Sequence, residues 1–83
     1  ISNDRVIVTE WRFAPGAETG WHRHGHDYVV VPMTGGELLL EMADGNRTAP
    51  LIPGQSYTRE EGVEHNVINP TEQEVVFVEI ELR

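Results

Sequence analysis

The stretch with the clearest chemical potential is "WHRHGHDY", residues 21–28, which holds three of the four histidines in the chain. His22, His24 and His26 stand at every second position, and Tyr28 continues the same spacing. Alternate residues of a β-strand point to one face, so a regular strand here would align these four side chains. Imidazole nitrogens are common ligands of divalent transition metals. The pattern therefore indicates either a metal site or a polar outer face on an edge strand.

The fourth histidine, His65, lies in the late run "EHNVIN" (64–69), shortly after a glycine at position 62. Two imidazoles on one strand and a third from another strand form a typical open site for a divalent transition metal. The sequence thus offers histidines of the 21–28 stretch, together with His65, as candidate ligands.

The elements that must position these histidines are short apolar runs separated by turn residues, which is typical of an all-β sandwich or barrel. Asp44-Gly45 is a hairpin signal, Pro53-Gly54 marks another turn, and no helical period exceeds one turn. We expect about eight strands. The candidate runs are 5–13, 26–33, 37–42, 47–52, 55–59, 64–69 and 74–82.

Length and composition narrow the class of protein. The 83 residues predict one domain spanning 1–83, and the first residue, Ile1, indicates that native residues precede it. Fourteen acidic and six basic residues give a net charge of −8, which disfavours a nucleic-acid partner. The absence of cysteine excludes disulfides and thiolate ligands. No apolar run approaches the roughly 20 residues of a membrane span, and no signal peptide is evident, so we expect a cytoplasmic protein.

Two spaced motifs organise the residues further. Gly16, five residues, His22-x-His24, three residues, Tyr28, six residues and a glycine at 35 make the first motif. In the second, a glycine at 54, five residues, Glu60-x-Gly, two residues, His65, three residues and Asn69 follow in order. With these two motifs the sequence resembles a minimal single-domain cupin.

The resemblance implies a small antiparallel jelly-roll β-barrel with a divalent transition metal inside. Iron(II) is the first expectation, followed by manganese, nickel or zinc. His22, His24 and His65 match the three histidine ligand positions, while His26 falls in the spacer of the first motif as a possible further ligand. The positions that match structural turns are Gly16, Gly35, Gly54, Gly62 and Asn69.

The sequence departs from the cupin pattern at two positions. Tyr28 stands where the family usually has a glutamate ligand, and Glu60 replaces a proline. The loss of the carboxylate leaves a neutral three-histidine set with more open coordination positions. Tyr28 is expected to face the cavity, either as a hydrogen-bonding group that contacts substrate or as a core tyrosine.

Arg59 is the second candidate substrate contact. It shares its parity with Tyr57 in a strand whose inward positions are usually apolar in cupins, and a buried arginine needs an anionic partner. That partner is either the carboxylate of a small-molecule ligand or an internal acid such as Glu60 or Glu61.

The remaining expectations concern aromatic residues and assembly. Trp11, Phe13 and Trp21 are interpreted as barrel lining or dimer contacts, and a core position is favoured for each. The Val- and Ile-rich terminal strands, "RVIVTEW" and "VVFVEI", offer pairing surface, so we expect a homodimer.

For function, the resemblance favours a metal-dependent enzyme with oxygenase-like or other metal-assisted chemistry on a small carboxylate-bearing metabolite. The segments "TEWRFAPG", "TGWHRH" and "DYVVVP" are also similar to small bacterial cupins associated with β-alanine catabolism. The alternative is a non-catalytic cupin that binds or senses a small molecule. The missing glutamate favours this alternative because Tyr28 and Glu60 are the only evident bases near the histidines.

Overall fold

The computed structural model describes residues 1–83 and consists of eight β-strands joined by turns, without any helix. It therefore contains no helix that could cross a membrane. The cytoplasmic location stays a prediction. The strands are β1 (Val6–Phe13), β2 (His22–Arg23), β3 (Tyr28–Pro32), β4 (Gly36–Met42), β5 (Gly45–Leu51), β6 (Tyr57–Arg59), β7 (Glu64–Ile68) and β8 (Val75–Leu82).

Two four-stranded sheets face each other, one in the order β1-β8-β3-β6 and the other in the order β2-β7-β4-β5. All neighbouring strands are antiparallel. This arrangement confirms the predicted all-β jelly roll. Pro50 lies inside β5, where it is tolerated because β5 is an edge strand and a missing N–H costs no internal ladder bond.

The alternation of β3 shows how the sheets divide inside from outside. Tyr28, Val30 and Pro32 are buried, whereas Val29 and Val31 face outward and are half-buried. The outward row that contains Val29 continues with Ile80 of β8 and Val8 of β1, both aliphatic, whereas the next row ends at Glu10 of β1. The homodimer predicted from the terminal strands stays a prediction.

The hydrophobic core lies between the sheets at the end where β8 begins. Phe13 and Phe77 pack with ring centroids 5.6 Å apart, and Val75 is 1% exposed. Leu38 and Leu51 cover these side chains from the second sheet. Burial of such a cluster is the main term that stabilises a domain of this size.

The structure separates the three aromatic residues that the sequence grouped as core. Phe13 is in the core, and Trp11 packs against it. The core interpretation of Trp21 is wrong, because the residue is 57% exposed, and its role as a dimer contact stays a prediction. Trp21 directly precedes the inward-facing His22, so the alternation of an extended chain turns the indole to solvent.

The glycine that the turn before β4 requires is one position later than the glycine that ends the first motif. Gly36 has a φ of 120°, in the region that favours glycine, whereas Gly35 does not have a positive φ. A Cβ on Gly36 would also lie 3.3 Å from the side chain of Val75. The turn into β4 therefore depends on Gly36 rather than on Gly35.

Asn69 closes the core end of the barrel by hydrogen bonding. Its side chain is fully buried and donates to the carbonyl oxygens of Phe13, at 2.9 Å, and Gln73, at 2.7 Å. Its Oδ1 accepts from the backbone N–H and the hydroxyl of Thr71 at 2.9 and 2.7 Å. One side chain thus joins the end of β1 to the turn before β8.

Replacing Asn69 with alanine should lower the free energy of unfolding by about 2–4 kcal/mol, because it leaves several buried polar groups without partners. Urea denaturation measures the change. Asn46→Ala, at an exposed position in the β4–β5 hairpin, is the matched control and should change stability by less than about 0.5 kcal/mol. Equal stability of the Asn69 variant and the wild type would contradict the assigned role.

Candidate metal centre

The pairing of β2 with β7 brings His22 and His65 together. His22 and His65 are direct cross-strand partners. Directly opposed residues have Cβ atoms about 4.5–5.5 Å apart, so their side chains share one face of the sheet. Two ligand candidates separated by more than forty residues in sequence become neighbours by this register alone.

Backbone hydrogen bonds from the β6–β7 turn fix His24, which lies just beyond the end of β2. The His24 N–H donates to the carbonyl of Val63 at 2.9 Å, and the N–H of Gly62 donates to the His24 carbonyl at 2.8 Å. Nearby, the N–H of Glu61 donates to Asp27 Oδ1 at 2.8 Å. The loop after β2 is therefore held by the second motif, and the His24 side chain keeps the direction of His22.

The Nε2 atoms of the three imidazoles converge. Those of His22 and His24 are 3.0 Å apart, and those of His24 and His65 are 3.1 Å apart. Nitrogens bound to one ion at about 2.0–2.1 Å can be at most about 4.2 Å from each other, so both separations fit a common metal. A proton on one nitrogen serves one contact at a time, whereas a cation attracts all three lone pairs. The donor set therefore fits a divalent transition metal.

The other ring nitrogens set the tautomers. His22 Nδ1 lies 2.9 Å from the carbonyl of Gly20 and 3.2 Å from the hydroxyl of Thr19. Donation from Nδ1–H to this carbonyl leaves the Nε2 lone pair free for a metal, which is a common way to orient a ligating histidine. His65 differs, because its Nδ1 is buried without a protein partner.

Burial keeps two of the imidazoles neutral. The pKa of His65 is lowered to about 4, first by desolvation and then by the positive charges of His22, His24 and Arg59. Desolvation also lowers the pKa of His24, with the charge of His22 as the next cause. Neutral imidazole is the form that binds metal, so these two side chains are ready to ligate at neutral pH.

Tyr28 lies against the histidines in place of a carboxylate. Its ring stacks on that of His24, with centroids 4.0 Å apart and planes 22° apart, and the residue is 3% exposed. Burial raises the pKa of the Tyr28 hydroxyl, and the carboxylate of Glu79 raises it further. Tyr28 is therefore a neutral group in the cavity that also packs a ligand candidate.

The histidines line one cavity of about 430 Å³ between the sheets. Arg59 also lines it, and its guanidinium lies 4.4 Å from the centroid of the Tyr57 ring while Nη1 donates to the Thr58 carbonyl at 2.9 Å. No carboxylate lies within ion-pair distance of Arg59. The internal partners considered from sequence, Glu60 and Glu61, are both exposed and do not pair with it.

The cavity contains two carboxylates that sequence reasoning missed. Glu79 and Glu81 line it from β8, and their oxygens lie within 4.8 Å of a His24 ring nitrogen and of each other. Desolvation raises the pKa of Glu79 to about 7, with a hydrogen bond to Glu81 as the next cause. The sequence pattern could have revealed them. Phe77, Glu79 and Glu81 are alternate residues of one strand, so all three face inward if the apolar Phe77 does.

His26 and Trp11 also line the cavity. His26 lines the cavity but lies outside the cluster formed by the other three histidines. The chain leaves strand geometry after Arg23, so alternation no longer places His26 with His24. Trp11 packs against the core and also lines the cavity, where its Nε1 is a buried donor without a protein partner.

Comparison with known proteins agrees with the fold. The cupin domain family model matches residues 9–81. The chain belongs to the cupin family. It is also 69% identical to the β-alanine degradation protein BauB of Pseudomonas aeruginosa, over 100% of this chain and 87% of that protein.

Solved structures give the same result. A cupin domain from Bordetella pertussis Tohama I is 69% identical and superposes with a TM-score of 0.97, over 100% of this chain and 86% of that one. A protein with a double-stranded β-helix domain from Klebsiella pneumoniae shares the fold at 22% identity, with a TM-score of 0.79 over 99% of this chain and 70% of that one.

Replacement of His65 by alanine should abolish stoichiometric metal binding, because only two of the three converging nitrogens are left. Elemental analysis of protein purified without chelators measures the metal content. His26→Ala is the matched control and should keep the wild-type metal content. Equal metal in the wild type and the His65 variant would rule out this site.

Replacement of Glu79 by glutamine should stabilise the metal-free protein at pH 8. The raised pKa means that the folded state disfavours the ionised carboxylate, so stability falls as the pH rises from 4.5, the ordinary pKa, to about 7. We expect a higher Tm for the variant at pH 8 and little difference at pH 4, where the carboxyl is protonated in both states. Glu37→Gln, at an exposed position on β4, should leave the Tm unchanged at both pH values. A Tm at pH 8 no higher than that of the wild type would contradict the prediction.

Proposed function

We propose that this cupin is a metal-dependent enzyme that acts on a small carboxylate-bearing metabolite. The observation that carries the proposal is the convergence of three imidazole Nε2 atoms on a cavity that also contains the unpaired cation of Arg59. A cavity of about 430 Å³ has the volume for a small metabolite.

In this proposal His22, His24 and His65 hold a divalent transition metal. We take iron(II) as the first metal, with manganese, nickel and zinc next, because neutral imidazoles accept all of them. Iron(II) would supply oxygenase chemistry, and any of these ions would supply Lewis-acid chemistry.

Arg59 is proposed to bind the substrate carboxylate. Its planar guanidinium can donate two parallel hydrogen bonds to a carboxylate, and the aromatic face of Tyr57 holds it in place. A guanidinium without an ion-pair partner at the wall of a cavity is complementary to an anionic group of a ligand. Tyr28, the next residue across the sheet from Arg59, would contact the same ligand.

Glu79 favours an enzyme over a binding module. A carboxyl group with a pKa of about 7 can accept and return a proton at physiological pH, which is the property of a general acid–base group. Glu79 thus provides an acid–base group in the cavity although Tyr28 replaces the usual cupin glutamate. Oxygen uptake and substrate consumption by the iron(II)-loaded protein, measured on a panel of small acids, distinguish the enzyme from a cupin that only binds or senses its ligand.

The similarity to BauB supports a substrate from β-alanine degradation. Proteins 69% identical over the whole chain commonly keep the same site architecture, so we place the substrate of this cupin among three-carbon acids related to β-alanine. This assignment identifies a substrate class and leaves the reaction open.

Replacement of Arg59 by leucine should weaken the binding of propionate, the simplest three-carbon carboxylate, by about 1.5–3 kcal/mol, the usual contribution of a hydrogen bond to a charged group. Calorimetric titration of metal-loaded protein measures the change. Arg47→Leu, at an exposed position on β5, is the matched control and should bind propionate like the wild type. Unchanged propionate affinity in the Arg59 variant, or no binding by the wild type at millimolar concentrations, would contradict the proposal.

A further inference from the structure

Two side chains of opposite charge, Arg59 and Glu81, lie on either side of Tyr28 in the first sheet and face the cavity. Tyr28 pairs with Arg59 of β6 on one side and with Glu81 of β8 on the other. Adjacent strands lie about 4.8 Å apart, so the backbones of Arg59 and Glu81 are separated by roughly 10 Å. Glu79 lies on the next inward row of β8, beside the same cavity.

These charges do not neutralise each other. No ion pair joins Arg59 to Glu79 or Glu81. The guanidinium contacts the Tyr57 ring, and the two carboxyls lie beside each other and His24. One wall of the cavity therefore has a positive end and a negative end, with the Tyr28 side chain between them.

We propose that the cavity selects a short zwitterion, whose carboxylate binds Arg59 and whose ammonium group binds the Glu79–Glu81 pair. A ligand that meets both ends through hydrogen bonds of about 2.9 Å needs its two charges only a few bonds apart. A short ω-amino acid has this spacing. The inference rests on the proposed function, since it uses the same cavity and the same Arg59 contact.

The charge of the whole domain supports the same substrate class. A net charge of −8 repels a simple carboxylate, whereas a zwitterion carries no net charge and meets no such barrier. Inside the cavity the preference is stronger, because Glu81 and Glu79 lie where the uncharged end of a simple carboxylic acid would otherwise rest. An alkyl chain at that end would leave the carboxyls desolvated without a partner.

The test compares β-alanine with propionate, which has the same three carbons and carboxylate but lacks the ammonium group. Calorimetric titrations at pH 8 would use zinc(II)-loaded protein, because zinc has no redox chemistry. We expect the wild type to bind β-alanine roughly ten- to a hundredfold more tightly than propionate, the effect of one charge-assisted hydrogen bond.

Glu81→Gln should reduce this ratio to within about twofold of unity while propionate affinity stays equal or rises. Glu79→Gln serves as the second variant if Glu81→Gln loses metal or fails to fold. Glu37→Gln, which removes one acid outside the cavity, should keep the wild-type ratio. Metal content is matched across the variants before titration, because Glu81 lies close to His24.

The outcomes separate this inference from the function on which it rests. Equal affinity for the two ligands in the wild type overturns the zwitterion inference, and so does a ratio that survives in the glutamine variants. If propionate nevertheless binds and depends on Arg59, the proposed carboxylate site stands. If neither ligand binds the wild type at millimolar concentrations, both proposals fail.

Discussion

The antiparallel pairing of β2 with β7 is the constraint on which the site depends. It lasts for only two residues of β2, yet it sets His22 opposite His65. A shift of one residue would turn one of these imidazoles to the outer face and disperse the cluster. Backbone bonds between His24 and the turn at Gly62 and Val63 extend the pairing beyond the end of the strand. Gly62 and His65 of the second motif therefore act together to hold His22 and His24 of the first motif in place.

The interior divides into an end that stabilises the fold and an end that serves the cavity. β8 makes the division visible, since its inward side chains change from Val75 and Phe77 to Glu79 and Glu81 along one strand. The apolar half is closed by the hydrogen bonds of Asn69. The polar half places carboxyls and imidazoles in a poorly solvated space, which raises the pKa of Glu79 and lowers that of His65. Such shifts mean that the cavity costs stability, a common property of functional sites.

Replacement of the usual glutamate by Tyr28 changes the electrostatics of the site without leaving a void. The tyrosine packs its ring on His24 and stays uncharged, so the histidine cluster has no negative member at the position where the family usually has a glutamate. Negative charge enters instead from β8, through carboxyls outside the three-histidine cluster. Negative charge in this cavity thus lies on the β8 carboxyls beside His24, with Arg59 across Tyr28 as the positive counterpart.

The sequence by itself determined the strand pattern, the order of the two motifs and the three histidines, because alternation and residue spacing are local properties that β-structure preserves. The exposure of Trp21 and the cavity position of Glu79 and Glu81 also follow from the alternation of side chains along an extended chain, once one neighbouring residue is known to face inward. Tertiary structure alone decided which acids share the cavity with Arg59. Glu60 and Glu61 are close to Arg59 in sequence but exposed, whereas Glu81 faces the same cavity because β6 and β8 both pair with β3. Contacts across a sheet depend on register between distant segments, and no local pattern in the chain encodes that register.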